Sequence, residues 1–288
     1  MEGTEDKKIS DGRGLLDKGN WEEAQKLFED VANMSIATLR EASGLIGWAY
    51  WKKNEKDKAA EHWRAAIDLT RFPDMSNSTA LSGLALYMAP RKSPIARNYA
   101  MLSIAMIPDG EGTPDHSIRT NACGIALAQL GDLAEAERIL RETMKMNEEF
   151  ESSPDLKISK IGKHQRAKNG YNFSALVLIP QGKYDEAREE LYNEVIPRYQ
   201  AVGAISDLAA ALFRVGLTYE KEEKYVDALR WYQACLYEWT IVGDDARIKQ
   251  AWENVDRVRE KINAKDTNTR DSTDEWTERA MARAVDQA

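Results

Sequence analysis

Small and large residues recur along the 288-residue chain at a fixed internal spacing. Gly47 is followed twelve positions later by Ala59, Gly124 by Ala136, Ala175 by Ala187 and Gly216 by Ala228. Three residues beyond each first member stands a large apolar or aromatic side chain: Tyr50, Leu127, Leu178 and Tyr219. Four residues beyond each later alanine stands another: Trp63, Leu140, Leu191 and Tyr232. Between the halves lie the turn-like stretches Lys53-Asn54-Glu55, Leu130-Gly131-Asp132, Gln181-Gly182-Lys183 and Glu222-Glu223-Lys224. Steps of three and four are helical steps, and a short turn between two helices makes them antiparallel neighbours. Helix backbones approach closely only where side chains are small. The pattern therefore predicts that Gly47 meets Ala59, with Tyr50 and Trp63 filling the gaps around them. One such pair leaves its outer apolar face uncovered, and stacking pairs buries it. Strand signals are nearly absent, and the longest, "ALVLIP", ends a longer helical pattern.

This spacing resembles the tetratricopeptide repeat, W-x2-L-G-x2-Y followed by A-x3-F. Four segments carry the match: 40–72, 117–149, 168–199 and 209–241. "GNWEEAQKLFEDV" (19–31) resembles the second helix of a further repeat near 5–35, with Ala24 and Phe28 in place. Lys8 and Asp11 stand where its first helix should be apolar. Residues 77–107 resemble a diverged repeat in which Tyr87, Ala96 and Ser103 fit, "APRKSP" replaces the tight turn and Ala100 replaces the bulky plug. The resemblance implies an all-α fold of about thirteen helices, a right-handed superhelical solenoid of about six repeats filling residues 1–264.

The last helix of that domain, 244–264, reads as a cap, with Ile248, Trp252, Val255 and Ile262 on one stripe and charge elsewhere. Ser153-Pro154 reads as the start of an unusually long helix reaching Leu178. Residues 265–288 read as a polar linker and an amphipathic helix carrying Trp276, Ala280, Met281 and Ala284 on one face. That helix either docks in an apolar groove, its own or a second copy's, or stays solvated.

In tetratricopeptide proteins the first helices line a concave groove that holds the partner. Carried over at fixed offsets, the resemblance assigns to the groove Trp48 and Trp51, then Leu81, Ala85 and Met88, then Asn121, Ile125 and Ala128. It continues with Asn172, Leu176 and Ile179, and ends with Phe213, Leu217 and Glu220. This lining is mostly apolar and suits an amphipathic helix or an extended apolar peptide. The other reading of these residues is an array coiled tightly enough for them to pack on one another. Some family members clamp a terminal carboxylate with Lys, Asn and Arg. Asn121 and Asn172 resemble that clamp, but its basic members are missing at these positions.

Composition narrows the class. The chain is 43% hydrophobic and 31% charged, with a net charge of −8. An acidic balance argues against nucleic acid or an anionic membrane as main partner. No window approaches a membrane-spanning length, and "MEGTEDKKIS" has no hydrophobic signal region. Cys123 and Cys235 lie 112 positions apart on apolar stripes and read as buried thiols of a cytoplasmic protein. His62, His116 and His164 fall in different repeats, and no catalytic, metal-binding or phosphate-binding motif is present. "DGEGTPD" (109–115) reads as a turn. The basic run Lys157, Lys160, Lys163, His164, Arg166 and Lys168 reads either as a solvated face or as a dock for an acidic partner. The expectation is a non-enzymatic adaptor without metal or cofactor, holding a protein or peptide segment. A self-assembling protein and a short-peptide sensor of bacterial type are the alternatives.

Overall fold

The computed structural model describes residues 2–31, 36–68, 77–106 and 113–265. The expected tail helix with Trp276, Ala280, Met281 and Ala284, and residues 109–112 of the expected turn, lie outside the described residues. Within them every regular element is helical. In chain order these are α1 (Glu2–Asp17), α2 (Trp21–Val31), α3 (Ile36–Lys52), α4 (Lys56–Asp68), α5 (Ser78–Met88), α6 (Ile95–Ala105), α7 (Pro114–Leu130), α8 (Leu133–Glu151) and α9 (Leu156–Phe173). They continue with α10 (Tyr184–Glu190), α11 (Ile196–Val202), α12 (Ile205–Lys221), α13 (Tyr225–Val242) and α14 (Asp245–Lys265). A π-helical segment, Leu191–Val195, joins α10 to α11, so counting these as one interrupted helix gives thirteen. The chain divides into two compact units, Met1–Val177 and Leu178–Ala288.

In the first unit α1 packs on α2, α3 on α4, α5 on α6 and α7 on α8, and α9 packs against α8. The glycines show how the pairs close. A Cβ on Gly47 would collide with the indole of Trp63, and one on Gly124 would sit 2.8 Å from Leu140. The notch in the first helix is therefore filled by the bulky residue sixteen positions on. It is not filled by the alanine at twelve, as the spacing alone suggested. Ala59 is fully buried beside it, and its small size lets the plug's own helix come close. Gly12 stands in the same relation to Phe28. The first repeat thus keeps the register despite Lys8 and Asp11, the latter exposed. Trp63 is pinned from a second side by Gly83 of α5, and its Nε1 donates to the Gly44 carbonyl at 3.0 Å.

The diverged third repeat has no plug, and polar contacts close it. Ser103 Oγ of α6 donates to the Ser78 carbonyl of α5 at 2.9 Å, and Asn77 Nδ2 donates to the Ala66 carbonyl of α4 at 3.2 Å. Thr113 and Pro114 open α7, with the threonine hydroxyl accepting from His116 N. The long helix expected after Ser153-Pro154 starts slightly later. Asp155 is its cap, and its carboxylate accepts from Lys157 N and Ile158 N at 2.8 and 3.2 Å, satisfying two donors that a helix start leaves open. A π-helical segment, Ser174–Leu178, then extends it to Leu178.

In the second unit α12 packs on α13, and α13 on α14. A Cβ on Gly216 would lie 2.7 Å from the Tyr232 ring, the same register again. Of the expected capping stripe, Val255 and Ile262 are buried in a cluster with Ala228, Leu229 and Tyr232, and Trp252 packs against it. Val258 completes the stripe, fully buried.

Candidate functional site

The first-helix surface of the first unit is aromatic at α3. Trp48 lies edge-on to Trp63 at 5.3 Å and to Trp51 at 6.4 Å, and Trp51 lies 5.8 Å from Trp63. Trp48 Nε1 donates to the Thr79 carbonyl at 3.3 Å, tying α3 to α5. Lys56 Nζ lies 5.4 Å from the Trp51 ring. Both tryptophans and Met88 pack against the cluster built on Trp63, Leu84 and Tyr87, and all three remain half-buried. Tyr50 points elsewhere. It packs against the clusters on both sides, accepts from Gln25 Nε2 at 3.0 Å and stacks on His62 at 5.1 Å. Burial pushes the His62 imidazole pKa down, although Glu29 and Glu61 oppose it.

Further along the unit, Asn172 Nδ2 of α9 donates to Asn121 Oδ1 of α7 at 3.2 Å, so the two expected asparagines meet. Ile125 and Leu176 are half-buried. Leu81 does not serve as expected. At 1% exposure it is core, as are Ala85 and, nearly so, Asn121 at 4%. The helices on either side close over them. The basic run divides in the same way. Lys157 and Lys160 are exposed, whereas Arg166 is buried and donates to Glu148 Oε1 of α8 at 3.0 Å.

In the second unit Leu217 is half-buried and Ile179 is buried. Phe213 is half-buried with its ring 5.4 Å from Tyr232, packing into the cap cluster. Glu220 is withdrawn from any groove. It accepts from Tyr232 Oη at 2.7 Å, Arg257 Nη2 at 2.7 Å and Lys261 Nζ at 2.8 Å. Burial alone would raise its pKa, but these hydrogen bonds together draw it down to about 2.

One charged group went unread in the sequence. Arg13 of α1 donates to Glu41 Oε1 of α3 at 2.5 Å and pairs with Asp115 of α7, and Arg119 lies beside Arg13 and Glu41. The signal for Arg13 was present, because it stands one step beyond Gly12, the groove offset used for the other repeats. Among the described residues no three histidine, cysteine or acidic side chains converge as metal ligands, and no helix is long and apolar enough to cross a membrane. Cys123 and Cys235 are buried free thiols, and burial pushes each up to about 12.

Paired helices, repeated glycine-and-plug joints and a terminal charged cap define an α-helical repeat scaffold. Residues 11–76 and 121–149 match models of the tetratricopeptide repeat family. The apo form of RapI is similar in fold, with a TM-score of 0.70 at 12% identity over 99% of this chain and 77% of that one. A signal-transduction ATPase from Pyrococcus horikoshii with a tetratricopeptide repeat sensor is similar at a TM-score of 0.52 and 15% identity over 97% of this chain, which spans 44% of that protein's length. No curated protein matches the chain.

Proposed function

We propose that the chain is a protein-interaction scaffold whose first-helix surface in the N-terminal unit holds an apolar peptide segment, helical or extended. The observation that carries this is the half-burial of Trp48, Trp51 and Met88 on a core whose inner members, Trp63 and Leu84, are closed. Indoles held in place by packing and still part-open are the side chains that dominate peptide interfaces. Ile125 and Leu176, half-buried at the same offset, supply apolar surface further along the unit. The reading assigns the chain no reaction. It places the chain in a reducing, cytoplasmic compartment, which the two buried free thiols support.

Selection from a library of displayed dodecapeptides tests it. Wild-type protein should enrich apolar sequences, and Trp51→Ala should weaken their binding about thirtyfold, roughly 2 kcal/mol, with helical circular dichroism retained. Trp51 is the better probe, because Trp48 also bridges α3 to α5. Failure to enrich any sequence, or equal affinity of the variant, would sink the proposal.

A further inference from the structure

Helix α13 is apolar on the side turned away from its neighbours. Val226, Tyr237, Ile241 and Val242 of this one helix are half of the eight large apolar side chains exposed among the described residues. The first three follow at steps of eleven and four, on one helical face. That face lies opposite the buried Ala228, Tyr232 and Cys235. Helix α8 shows what a water-facing surface in this register looks like. Aligned on their alanines, Ala136 and Ala228, α8 places Lys145 where α13 has Tyr237, and Glu149 where α13 has Ile241. Both are exposed, and on the same side Arg138 pairs with Glu135 and Glu142. A helix that is apolar on both sides is built to be covered on both. Glu238, between Tyr237 and Ile241, is half-buried, and burial alone pushes its carboxyl up.

The chain carries a segment that fits this face. Helix α14 runs back along α13 and ends at Lys265, beside the start of α13. There Lys261 Nζ lies 5.3 Å from the Tyr225 ring, and Ile262 joins the cluster of Ala228. From that point Asp266–Asp274 are polar, a reach of about 30 Å when extended. Glu275–Ala288 would span about 21 Å as a helix, and Val226 to Ile241 along α13 is about 22 Å. The apolar side of that segment, Trp276, Ala280, Met281 and Ala284, is thus as long as the open face. A linker this short holds the segment at millimolar effective concentration, which favours the chain's own segment over that of a second copy. We propose that Glu275–Ala288 lies as a helix on the outer face of α13 in the same chain, with Trp276 against Tyr237 and Ile241. Arg279, one turn after Trp276, then comes level with Glu238. This does not depend on the reading that the first unit binds a peptide.

Amide hydrogen exchange of the full-length protein, read by mass spectrometry over residues 275–288, tests it. A lone helix of this length is marginal in water and exchanges almost freely. Held on α13 at millimolar effective concentration, it should exchange about tenfold more slowly, and equally so at all protein concentrations. Tyr237→Lys combined with Ile241→Glu gives α13 the outer residues of α8 and should return the segment to the free rate. Because Tyr237 is 41% and Ile241 52% exposed, the core should keep its helical circular dichroism. Trp276→Ala, a change confined to the segment, should release it as well, and it decides the matter if the double variant does not fold. Free exchange in wild type, or slow exchange retained in either folded variant, would overturn the inference. So would protection that rises with protein concentration, which would assign the face to a second copy.

Discussion

Trp63 and Tyr232 occupy the same place in two repeats and are held in opposite ways. Each stands sixteen residues after the glycine whose notch it fills, and each is at most 1% exposed. Trp63 sits inside the stack. Gly47 of its own repeat and Gly83 of the next close on its ring, and its single donor turns back to the Gly44 carbonyl. Tyr232 sits in the last repeat, where no further glycine-bearing helix follows among the described residues. Its hydroxyl also reaches back to the first helix of its own repeat, but to the Glu220 carboxylate, which is shared with Arg257 and Lys261 of the capping helix. An interior joint can be apolar on both sides because another repeat covers it. A terminal joint must pass from packing to a water-facing helix, and a charge with one buried side and one wet side makes that passage.

The largest effect should come from filling the notches. Gly47→Leu forces Trp63 against Gly83 and off the Gly44 carbonyl, with nowhere for a rigid indole to move. Gly216→Leu pushes on the edge of a ring that has Phe213 beside it and the capping helix, not a further glycine-bearing helix, beyond it. Overpacking of this kind costs about 1–3 kcal/mol or more. Gly47→Leu should lose the cooperative unfolding of the first unit, while Gly216→Leu should lower a thermal midpoint and keep a transition. Equal midpoints for both variants and wild type would show that these glycines are not the joints.

The next effect isolates the charged closure. Glu220→Gln keeps the shape and removes the charge that Arg257 and Lys261 share. Because those two cations are 44% and 42% exposed, screening limits the loss to about 2 kcal/mol. The Glu220 carboxyl is held below its ordinary value of 4.5, at about 2. Its contribution is therefore complete above pH 4.5 and is lost as pH falls from there through 2. Urea unfolding of wild type followed between pH 5 and 2 should show that loss, and Glu220→Gln should show less of it. Identical pH profiles would mean that the cap is held by packing alone.

The joints were legible in the sequence and the closures were not. Periodicity of small and large residues located the helix pairs, and even the first repeat was available in the Gly12, Ala24 and Phe28 spacing. The spacing could not say whether Gly47 meets Ala59 or Trp63, because both lie on one face of α4 and only the depth of packing separates them. Leu81 and Glu220 were misplaced for a related reason. An offset along one helix fixes an angle around its axis, but neighbouring helices decide whether that angle is open. The bond between Asn121 and Asn172 and the bridge from Arg13 to Asp115 join residues 51 and 102 positions apart. No local pattern contains such contacts.

The smallest effect separates the hydroxyl of Tyr232 from its ring. Tyr232→Phe leaves Gly216 with the same plug and removes only the Oη–H that reaches Glu220. The carboxylate keeps Arg257 and Lys261, so no buried charge is left unpaired, and the cost should be about 1 kcal/mol. Trp63→Phe is the matching change at the interior joint. It removes the donor to Gly44 but also ring volume between Gly47 and Gly83, and the cavity adds to the loss. The ratio of the two tests the comparison itself. If the terminal joint is closed by charge, Tyr232→Phe should be the milder change, and combining it with Glu220→Gln should cost less than the sum of the two. A sum that is simply additive would mean that the tyrosine and the glutamate stabilise the cap independently, and that the handover from plug to capping helix does not operate.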